Sequence, residues 1–313
     1  MNKAFIFPGQ GSQVVGMGKD FYDAFRSAKE VFDEVDEALK FNLSKIIFEG
    51  PEADLTSTIN TQPALMATSI AIFKTLLQES GKATSELCNI AAGHSLGEYS
   101  ALCAAGSINL SDTASLLKIR STSMQEACPE GAGAMAACIG IGLAKLEDII
   151  KNITSSGVCE VANDNVTGQI VISGHTENID RIIAISKDLG YKAIKLKVSA
   201  PFHCKLMQPA EIKMATALDK VNIKQPSVPI LANVTAEETT APDKIRSNLI
   251  AQICGRVRWR ETLDVFARLG ITEIVEIGAG KVLTGLAKKS GHEFQTYNIS
   301  NLSEFKNYLE QIS

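Results

Sequence analysis

Residues 93–102, with the sequence GHSLGEYSAL, constrain the fold more than any other part of this chain. They place Ser95 between two glycines, directly after the apolar residues 90–92 and before a stretch with helical periodicity. A nucleophilic serine is mounted in this way at a sharp turn from a strand to a helix. Glycines fit such a turn because it leaves no room for Cβ atoms. Ser95 is therefore a candidate nucleophile; the alternative is a serine that caps the helix.

The composition is that of an ordinary globular protein. Of its 313 residues, 45% are hydrophobic and 21% are charged, and the formal net charge is −4. Domains that bind nucleic acid are usually basic, with clustered lysines and arginines. No basic block stands out in this sequence, so we expect no nucleic-acid partner. No run approaches the roughly 18 apolar residues of a spanning helix, so we also expect no association with a membrane.

The cysteines and histidines argue against two kinds of site. The 7 cysteines are scattered without a C-x-x-C pair, which fits free thiols in a reducing compartment and not a disulfide framework. The 4 histidines form no H-x-x-x-H pair and no cluster with cysteine, so we expect no metal site. The apolar residues 4–7 stop at Pro8 and are too few for the core of a signal peptide. We therefore expect a cytoplasmic protein.

Short apolar runs alternate with amphipathic stretches, a pattern typical of a mostly parallel sheet covered by helices. Strands are predicted at residues 4–7, 89–92, 228–232 and 272–277. Helices are predicted at residues 61–79, 111–127, 242–254, 260–269, 282–289 and 304–312. Together with the serine turn, this order predicts an α/β fold whose larger part is α/β-hydrolase-like.

Residues 129–198 show a different order of predicted strands and helices. Strands are predicted at residues 134–141, 158–162, 169–173 and 193–198, with helices at 143–153 and 177–189. This βαββαβ order is that of a ferredoxin-like unit. We therefore predict a small ferredoxin-like subdomain at residues 129–198, inserted into a large α/β-hydrolase-like subdomain formed by residues 1–128 and 199–313. The cleft between the two is the expected ligand site.

A serine hydroxyl becomes nucleophilic when a base takes its proton. His203 is the best candidate, because it follows the last strand of the inserted unit and returns the chain to the large subdomain at the cleft. His94 adjoins Ser95, and neighbouring side chains at a sharp turn diverge, so we predict a structural role for it. Acyl transfer also needs N–H donors for the oxyanion. Leu96 supplies one, and the glycine-rich residues 7–13 are the candidate second source, although they also fit a plain turn or a loose phosphate cradle.

Five motifs in one order resemble a known family. They are FPGQGSQ at residues 7–13, GHSLGEYSAL at 93–102, an Arg-x-x-x-Met-Gln run ending in PEGAGAM at 120–135, ANDNVTGQIVISG at 162–174 and PFHCKLM at 201–207. Together they look like the malonyl-CoA:acyl carrier protein transacylases of bacterial fatty acid synthesis, and the resemblance runs over essentially the whole chain. EIGAGKVLTGL at residues 276–286 also resembles the family, which usually has proline where this chain has Ala279. We expect only a local change of loop stiffness there.

The resemblance implies the catalytic machinery. Ser95 would carry the acyl group as an ester, with His203 as its general base. The main-chain N–H groups of Gln10 and Leu96 would form the oxyanion hole.

The resemblance also implies a set of binding residues. Arg120 would hold the free malonyl carboxylate, which suits a planar guanidinium better than a lysine ammonium. Gln252 would orient the histidine through its main-chain carbonyl. Asn163 and Asn165 would border the cleft, and Phe202 would narrow the acyl pocket.

The implied function is transfer of malonyl from malonyl-CoA to the phosphopantetheine thiol of acyl carrier protein through a serine ester, without a metal or redox cofactor. Malonyl-CoA and acyl carrier protein are the expected partners, and we expect a monomer. Two alternatives remain open. A serine esterase would orient its histidine with an acidic residue and give Arg120 no purpose. A non-catalytic module would bind coenzyme A or the carrier protein without needing Ser95 or His203.

Overall fold

The computed structural model describes residues 2–153 and 157–312. Met1 and Ser313, the ends of the predicted large subdomain, lie outside this range, as do residues 154–156 of the predicted small one. Numbered in chain order, the strands are β1 Lys3–Phe7, β2 Ile90–Gly93, β3 Gly133–Ile139, β4 Cys159–Val166, β5 Gln169–His175, β6 Lys192–Lys195, β7 Ile230–Leu231, β8 Glu238–Thr239, β9 Glu273–Ile277 and β10 Gln295–Ile299.

The helices are numbered in the same way. They are α1 Lys19–Ala24, α2 Arg26–Leu39, α3 Leu43–Glu49, α4 Glu52–Thr56, α5 Thr58–Ser80, α6 Thr84–Leu87, α7 Gly97–Ala104, α8 Leu110–Glu126, α9 Leu143–Ile153, α10 Thr176–Asp188, α11 Gln208–Leu218, α12 Pro242–Gln252, α13 Trp259–Arg268, α14 Val282–Lys288 and α15 Leu302–Ile312.

The larger sheet has the strand order β10-β9-β1-β2-β7-β8. Its strands run parallel, except that β8 pairs antiparallel with β7. All of β1 is buried: Phe5 and Phe7 pack into the core on one face, and Ala4 and Ile6 into the core on the other. A parallel strand covered on both faces appears in sequence as a continuous apolar run. The predicted α/β fold with a mostly parallel sheet is confirmed.

Helices cover both faces of this sheet. Helix α5 is buried along most of its length and contributes Leu65, Ile70, Phe73 and Leu76 to the core that contains Phe5 and Phe7. This is expected of a helix that is apolar on nearly all sides. Helices α13 and α14 contribute Phe266 and Leu286 to the core on the opposite face. The sheet is therefore held between helical layers, and the carboxyl ends of its parallel strands meet at one edge.

The smaller sheet has the order β4-β5-β3-β6 and is antiparallel. Helices α9 and α10 pack against it through a separate core that includes Leu146, Ile149, Ile179 and Ile182. The predicted βαββαβ order of this unit is confirmed. Its boundaries at residues 129 and 198 stay a prediction.

Several elements differ from the prediction. Strand β7 is shorter than the predicted 228–232, and β4 continues to Val166 beyond the predicted end at residue 162. The extension has a cause, because the N–H of Asp164 donates to Val257 O at 2.9 Å and the N–H of Val257 donates to Ala162 O at 2.8 Å. This pairing ties the small sheet to the loop before α13. Helices α1 to α4, α6 and α11 and strands β8 and β10 were not predicted.

Candidate active site

Ser95 lies at a sharp turn between β2 and α7, as predicted. Its φ of 55° is in the left-handed region that favours glycine. A Cβ on Gly93 would lie 1.9 Å from Gly97 O, and one on Gly97 would lie 2.2 Å from Phe7 O. The turn therefore tolerates only glycine on both sides of the serine. The helix-cap alternative for Ser95 is wrong, because α7 is capped at Leu96 with no side-chain hydrogen bond.

His203 faces this serine. Its Nε2 lies 2.7 Å from Ser95 Oγ, and its Nδ1 lies 2.9 Å from the main-chain oxygen of Gln252. A carbonyl oxygen only accepts, so the ring proton belongs on Nδ1, and Nε2 is free to accept a proton from the serine. Burial, with the positive charge of Arg120, lowers the pKa of His203 to about 3. The imidazole is therefore neutral at physiological pH.

The side chains of Asn233 and Glu98 hold the serine turn in place through hydrogen bonds. Asn233 Oδ1 accepts from the N–H of Ser95 at 2.7 Å, and Asn233 Nδ2 donates to Gly93 O at 2.7 Å. The N–H of Asn233 in turn donates to Glu98 Oε2 at 3.0 Å. These hydrogen bonds, to the N–H of Ser95 and to the carbonyl of Gly93, stabilise the strained backbone of the turn. Sequence reasoning missed both Asn233 and Glu98.

Arg120 brings a positive charge into the same space. Its side chain is 1% exposed and donates to Gln62 Oε1 at 2.7 Å, to Gln252 Oε1 at 2.9 Å and to Ser95 Oγ at 3.0 Å. Its Nε has no hydrogen-bond partner among the described residues. Within that same part of the chain, no carboxylate lies at ion-pair distance from it. Burial lowers the pKa of this guanidinium, which remains a cation.

Two main-chain donors border the serine. A Cβ on Gly9 would lie 2.7 Å from His94 O, so the loop that carries Gln10 is pressed against the serine turn. Gln10 and Leu96 line one cavity with Ser95. In the residues that the structure describes, the N–H groups of Gln10 and Leu96 donate no hydrogen bond. The structure thus places both residues expected to form an oxyanion hole around one cavity with Ser95.

The cavity at the serine has a volume of about 130 Å³. Its walls are Gln10, Gln62, His94, Ser95, Leu96, Arg120, Met124, Met135, Asn163, Leu196, Val198, Phe202 and His203. Phe202 and Asn163 therefore lie where they were predicted. A larger groove of about 630 Å³, between α2 and the loop at Lys224, has no histidine in its walls. We place the chemistry in the smaller cavity, because it contains the nucleophile and base.

Asn165 acts on a neighbour of the cavity. It does not belong to the cavity walls, but its Oδ1 lies 2.9 Å from His94 Nε2. His94 also packs on Trp259, with ring centroids 5.5 Å apart, and burial lowers its pKa. These contacts agree with the structural role predicted for His94. Ser95 therefore hydrogen-bonds to the distant histidine His203 and not to its neighbour in sequence.

The arrangement can perform acyl transfer on a negatively charged acyl group. It combines a nucleophile, a neutral base, two unpaired N–H donors and a buried cation in one small cavity. The described residues contain no group of histidine, cysteine and acidic side chains arranged to hold a metal ion. Among the helices of that same part, none combines the length and apolarity needed to cross a bilayer.

Comparison with known proteins identifies the family. A model of the acyl transferase domain matches residues 4–303. The malonyl CoA-acyl carrier protein transacylase of Bacillus subtilis (strain 168) is 44% identical over 300 residues, which cover 95% of this chain and 93% of the relative. The chain belongs to the malonyl CoA-acyl carrier protein transacylase family. The family resemblance of the five sequence motifs is thereby confirmed.

Solved structures of this transacylase family share the whole fold. The acyl-carrier-protein-S-malonyltransferase of Bartonella henselae has a TM-score of 0.97 and 46% identity, with 100% of this chain and 99% of that one covered. A malonyl-transacylase in complex with a type II PKS acyl-carrier protein has a TM-score of 0.95 and 36% identity, covering 99% of this chain and 100% of that one. The chain is thus an acyltransferase whose α/β architecture is that of the family.

Proposed function

We propose that this chain transfers malonyl from malonyl-CoA to the phosphopantetheine thiol of acyl carrier protein by a ping-pong mechanism, supplying malonyl-ACP for fatty acid synthesis. One observation carries the proposal: Ser95 Oγ lies within hydrogen-bond distance of both His203 Nε2 and the buried guanidinium of Arg120. A nucleophile with its base serves any acyl transfer. A buried cation beside that nucleophile selects an acyl group that carries a carboxylate.

The first half-reaction forms a serine ester. His203 Nε2 accepts the proton of Ser95 as Oγ attacks the thioester carbonyl, and the N–H groups of Gln10 and Leu96 stabilise the oxyanion. When the tetrahedral intermediate collapses, the coenzyme A sulfur leaves and takes the proton from the imidazolium. Gln252 keeps the histidine in the required tautomer through its hydrogen bond to Nδ1.

The second half-reaction reverses these roles. The phosphopantetheine thiol of the carrier protein gives its proton to His203 and attacks the malonyl ester. As the ester bond breaks, His203 returns the proton to Ser95 Oγ and the free serine is restored. A neighbouring structure, the malonyl-transacylase bound to an acyl-carrier protein, supports a carrier protein as the acceptor. Arg120 holds the malonyl carboxylate in both steps.

The remaining lining residues shape the pocket. We assign to Phe202 the narrowing of the acyl pocket, to Asn163 a part of the cleft wall, and to Asn165 the support of His94. Every group in this mechanism comes from one chain, so a monomer suffices, and the chemistry requires no metal or redox cofactor. Malonyl-CoA and the carrier protein are then the partners, and the cytoplasm is the proposed location.

The esterase alternative is less well supported. An esterase of this kind requires an acidic residue hydrogen-bonded to its histidine, whereas His203 Nδ1 is hydrogen-bonded to the main-chain carbonyl of Gln252. The buried acid Glu98 accepts from the side-chain amide of Gln252 and not from the histidine. The binding-module alternative gives no reason for a serine and a neutral histidine 2.7 Å apart.

The test is the intact mass of the protein after brief incubation with malonyl-CoA and no acceptor. We expect one malonyl adduct, absent in Ser95→Ala and present in Ser100→Ala. Ser100 is the matched control, since it lies on α7 with a buried hydroxyl that has no partner among the described residues. An adduct that persists in water and moves to carrier protein supports the transferase. Rapid hydrolysis would indicate an esterase, and no adduct a binding module.

A further inference from the structure

Glu98 is a buried carboxyl group that the proposed mechanism does not use. Its side chain is 2% exposed, and Oε2 accepts from Gln252 Nε2 at 2.7 Å and from the N–H of Asn233 at 3.0 Å. Burial raises the pKa of Glu98 to about 7. A carboxyl group with this pKa changes its charge close to physiological pH.

Gln252 connects Glu98 to Arg120. A guanidinium has only donors, so the amide oxygen of Gln252 must face Arg120, and its NH₂ group is left for Glu98. The observed contacts follow this direction: Arg120 Nη2 donates to Gln252 Oε1 at 2.9 Å, and Gln252 Nε2 donates to Glu98 Oε2 at 2.7 Å. One amide therefore separates the positive group from the negative one.

Other charges in the described residues do not interfere with this pair. Arg120, from α8, is the charged group that acts on Glu98 electrostatically. Tyr99, on the same helix as Glu98, is kept neutral by burial, which raises its pKa, and His203 is neutral as well. Lys3 of β1 pairs with Glu273, and Lys74 of α5 is exposed. In the free enzyme, the carboxylate of Glu98 is thus the negative charge that interacts electrostatically with Arg120.

We propose that Glu98 is the resting counter-charge of Arg120 and that it takes up a proton from solvent when a malonyl group is loaded on Ser95. The inference rests on the proposed function of Ser95 and Arg120. The bound malonyl group brings a second carboxylate to a single buried guanidinium in a small cavity. Two carboxylates that share a site disfavour each other's ionisation, so the buried one becomes protonated.

The proton balance separates this step from the chemistry. Serine hydroxyl and malonyl thioester give malonyl ester and coenzyme A thiol, with no net proton gained or lost. Glu98 carboxylate and one proton from water then give the carboxylic acid. Acetyl-CoA releases the same thiol but brings no carboxylate. Proton uptake that depends on the acyl group therefore reports on Glu98.

The experiment mixes the enzyme with malonyl-CoA or acetyl-CoA in weak buffer, without acceptor, and follows a pH indicator. Intact mass on the same samples gives the amount of adduct. At about pH 7.5 we expect on the order of half a proton taken up per malonyl adduct and almost none per acetyl adduct. At about pH 6 the malonyl signal falls several-fold, because Glu98 is already protonated.

Two variants assign the proton. Glu98→Gln removes the titrating group, so the uptake is lost from the adduct that forms. Glu276→Gln is the matched control and should retain the proton uptake. Glu276 is also a buried carboxyl with a raised pKa, but it accepts from the N–H groups of Leu283 and Thr284 at the start of α14. If Glu98→Gln does not fold, the contrast between malonyl and acetyl and its pH dependence in the unmodified enzyme decide.

The two proposals fail in different ways. A malonyl adduct without proton uptake overturns the role of Glu98 and leaves the proposed function standing. Uptake that persists in Glu98→Gln also overturns it. Absence of any adduct contradicts the proposed function itself.

Discussion

His203 is held by a main-chain carbonyl and not by a carboxylate, which changes what the histidine can do. The histidine is buried with Nε2 2.7 Å from Ser95 Oγ, and burial lowers its pKa to about 3. Such a histidine is a weak base. It suffices for a thioester, because a thiol of low pKa is a good leaving group.

The pH dependence of acylation tests this property. The neutral form of His203 is the active one, and lowering its pKa from 6.5 to about 3 keeps it neutral as the pH falls. We therefore expect kcat/KM for acylation to show no acid limb near pH 6.5. His203→Ala should lower both half-reactions by about 10²–10⁴-fold, whereas His292→Ala, which removes a partner of Asp264, should not. A limb near pH 6.5 would mean that a solvated histidine is the base.

Arg120 is expected to select the substrate. Removing the partner of a buried carboxylate costs on the order of 3–5 kcal/mol, which corresponds to roughly 10²–10⁴ in kcat/KM. Arg120→Ala should lower malonyl transfer by that factor and spare acetyl transfer. Arg120→Lys should recover only part, because an ammonium cannot form two parallel hydrogen bonds. The measurement is kcat/KM for both thioesters; an equal fall would assign Arg120 to the fold.

At the scale of elements, the sequence predicted what depends on local pattern. The serine turn, β1 and the order of the small sheet were readable from apolar runs and glycines. Helix α2 also carried a signal, with buried Ala28, Val31, Phe32 and Val35 at helical spacing. Strands β8 and β10 were harder to predict: β8 has two residues, and β10 is mostly half-buried at a sheet edge.

Glycine at the first position of α7 is predicted to be indispensable. A Cβ there would lie 2.2 Å from Phe7 O and 2.9 Å from Pro8 O, so Gly97→Ala must push the loop of Gln10 away from the serine. We expect a loss of about 1–3 kcal/mol in the free energy of unfolding, together with loss of acylation. Gly285→Ala is the control: it lies in α14 with nothing within 4 Å and should be neutral or stabilising. Urea unfolding compares the two; equal stability would refute the steric argument.

At the scale of the whole molecule, the site depends on contacts that no local pattern reveals. Asn233 lies 138 residues from Ser95, and Gln62 lies 58 residues from Arg120. One feature pointed to Asn233: it follows β7, which pairs in parallel with β2. The carboxyl ends of these two strands therefore lie at the same edge of the sheet, and the residues that follow them lie close together. Gln62 is a polar residue inside the buried helix α5, and only the packing of α5 against α8 gives it a partner.

The junction of the two sheets is expected to depend on one buried ion pair. Asp164 of β4 is 1% exposed and lies 2.8 Å from Arg260 Nη2 of α13, whose side chain is 29% exposed. Arg260→Ala would leave a buried carboxylate unpaired, which costs several kcal/mol in a dry site and about 2–3 kcal/mol here, since water reaches the arginine. Arg26→Ala is the control, because its ion pair with Glu30 is exposed and is worth at most about 1 kcal/mol. We expect the urea midpoint to fall for Arg260→Ala and to stay nearly constant for Arg26→Ala.

Since Asp164 lies between Asn163 and Asn165, Arg260→Ala should also raise KM for malonyl-CoA. Equal small effects of both variants would mean that the main-chain pairing with Val257 holds the sheets together unaided.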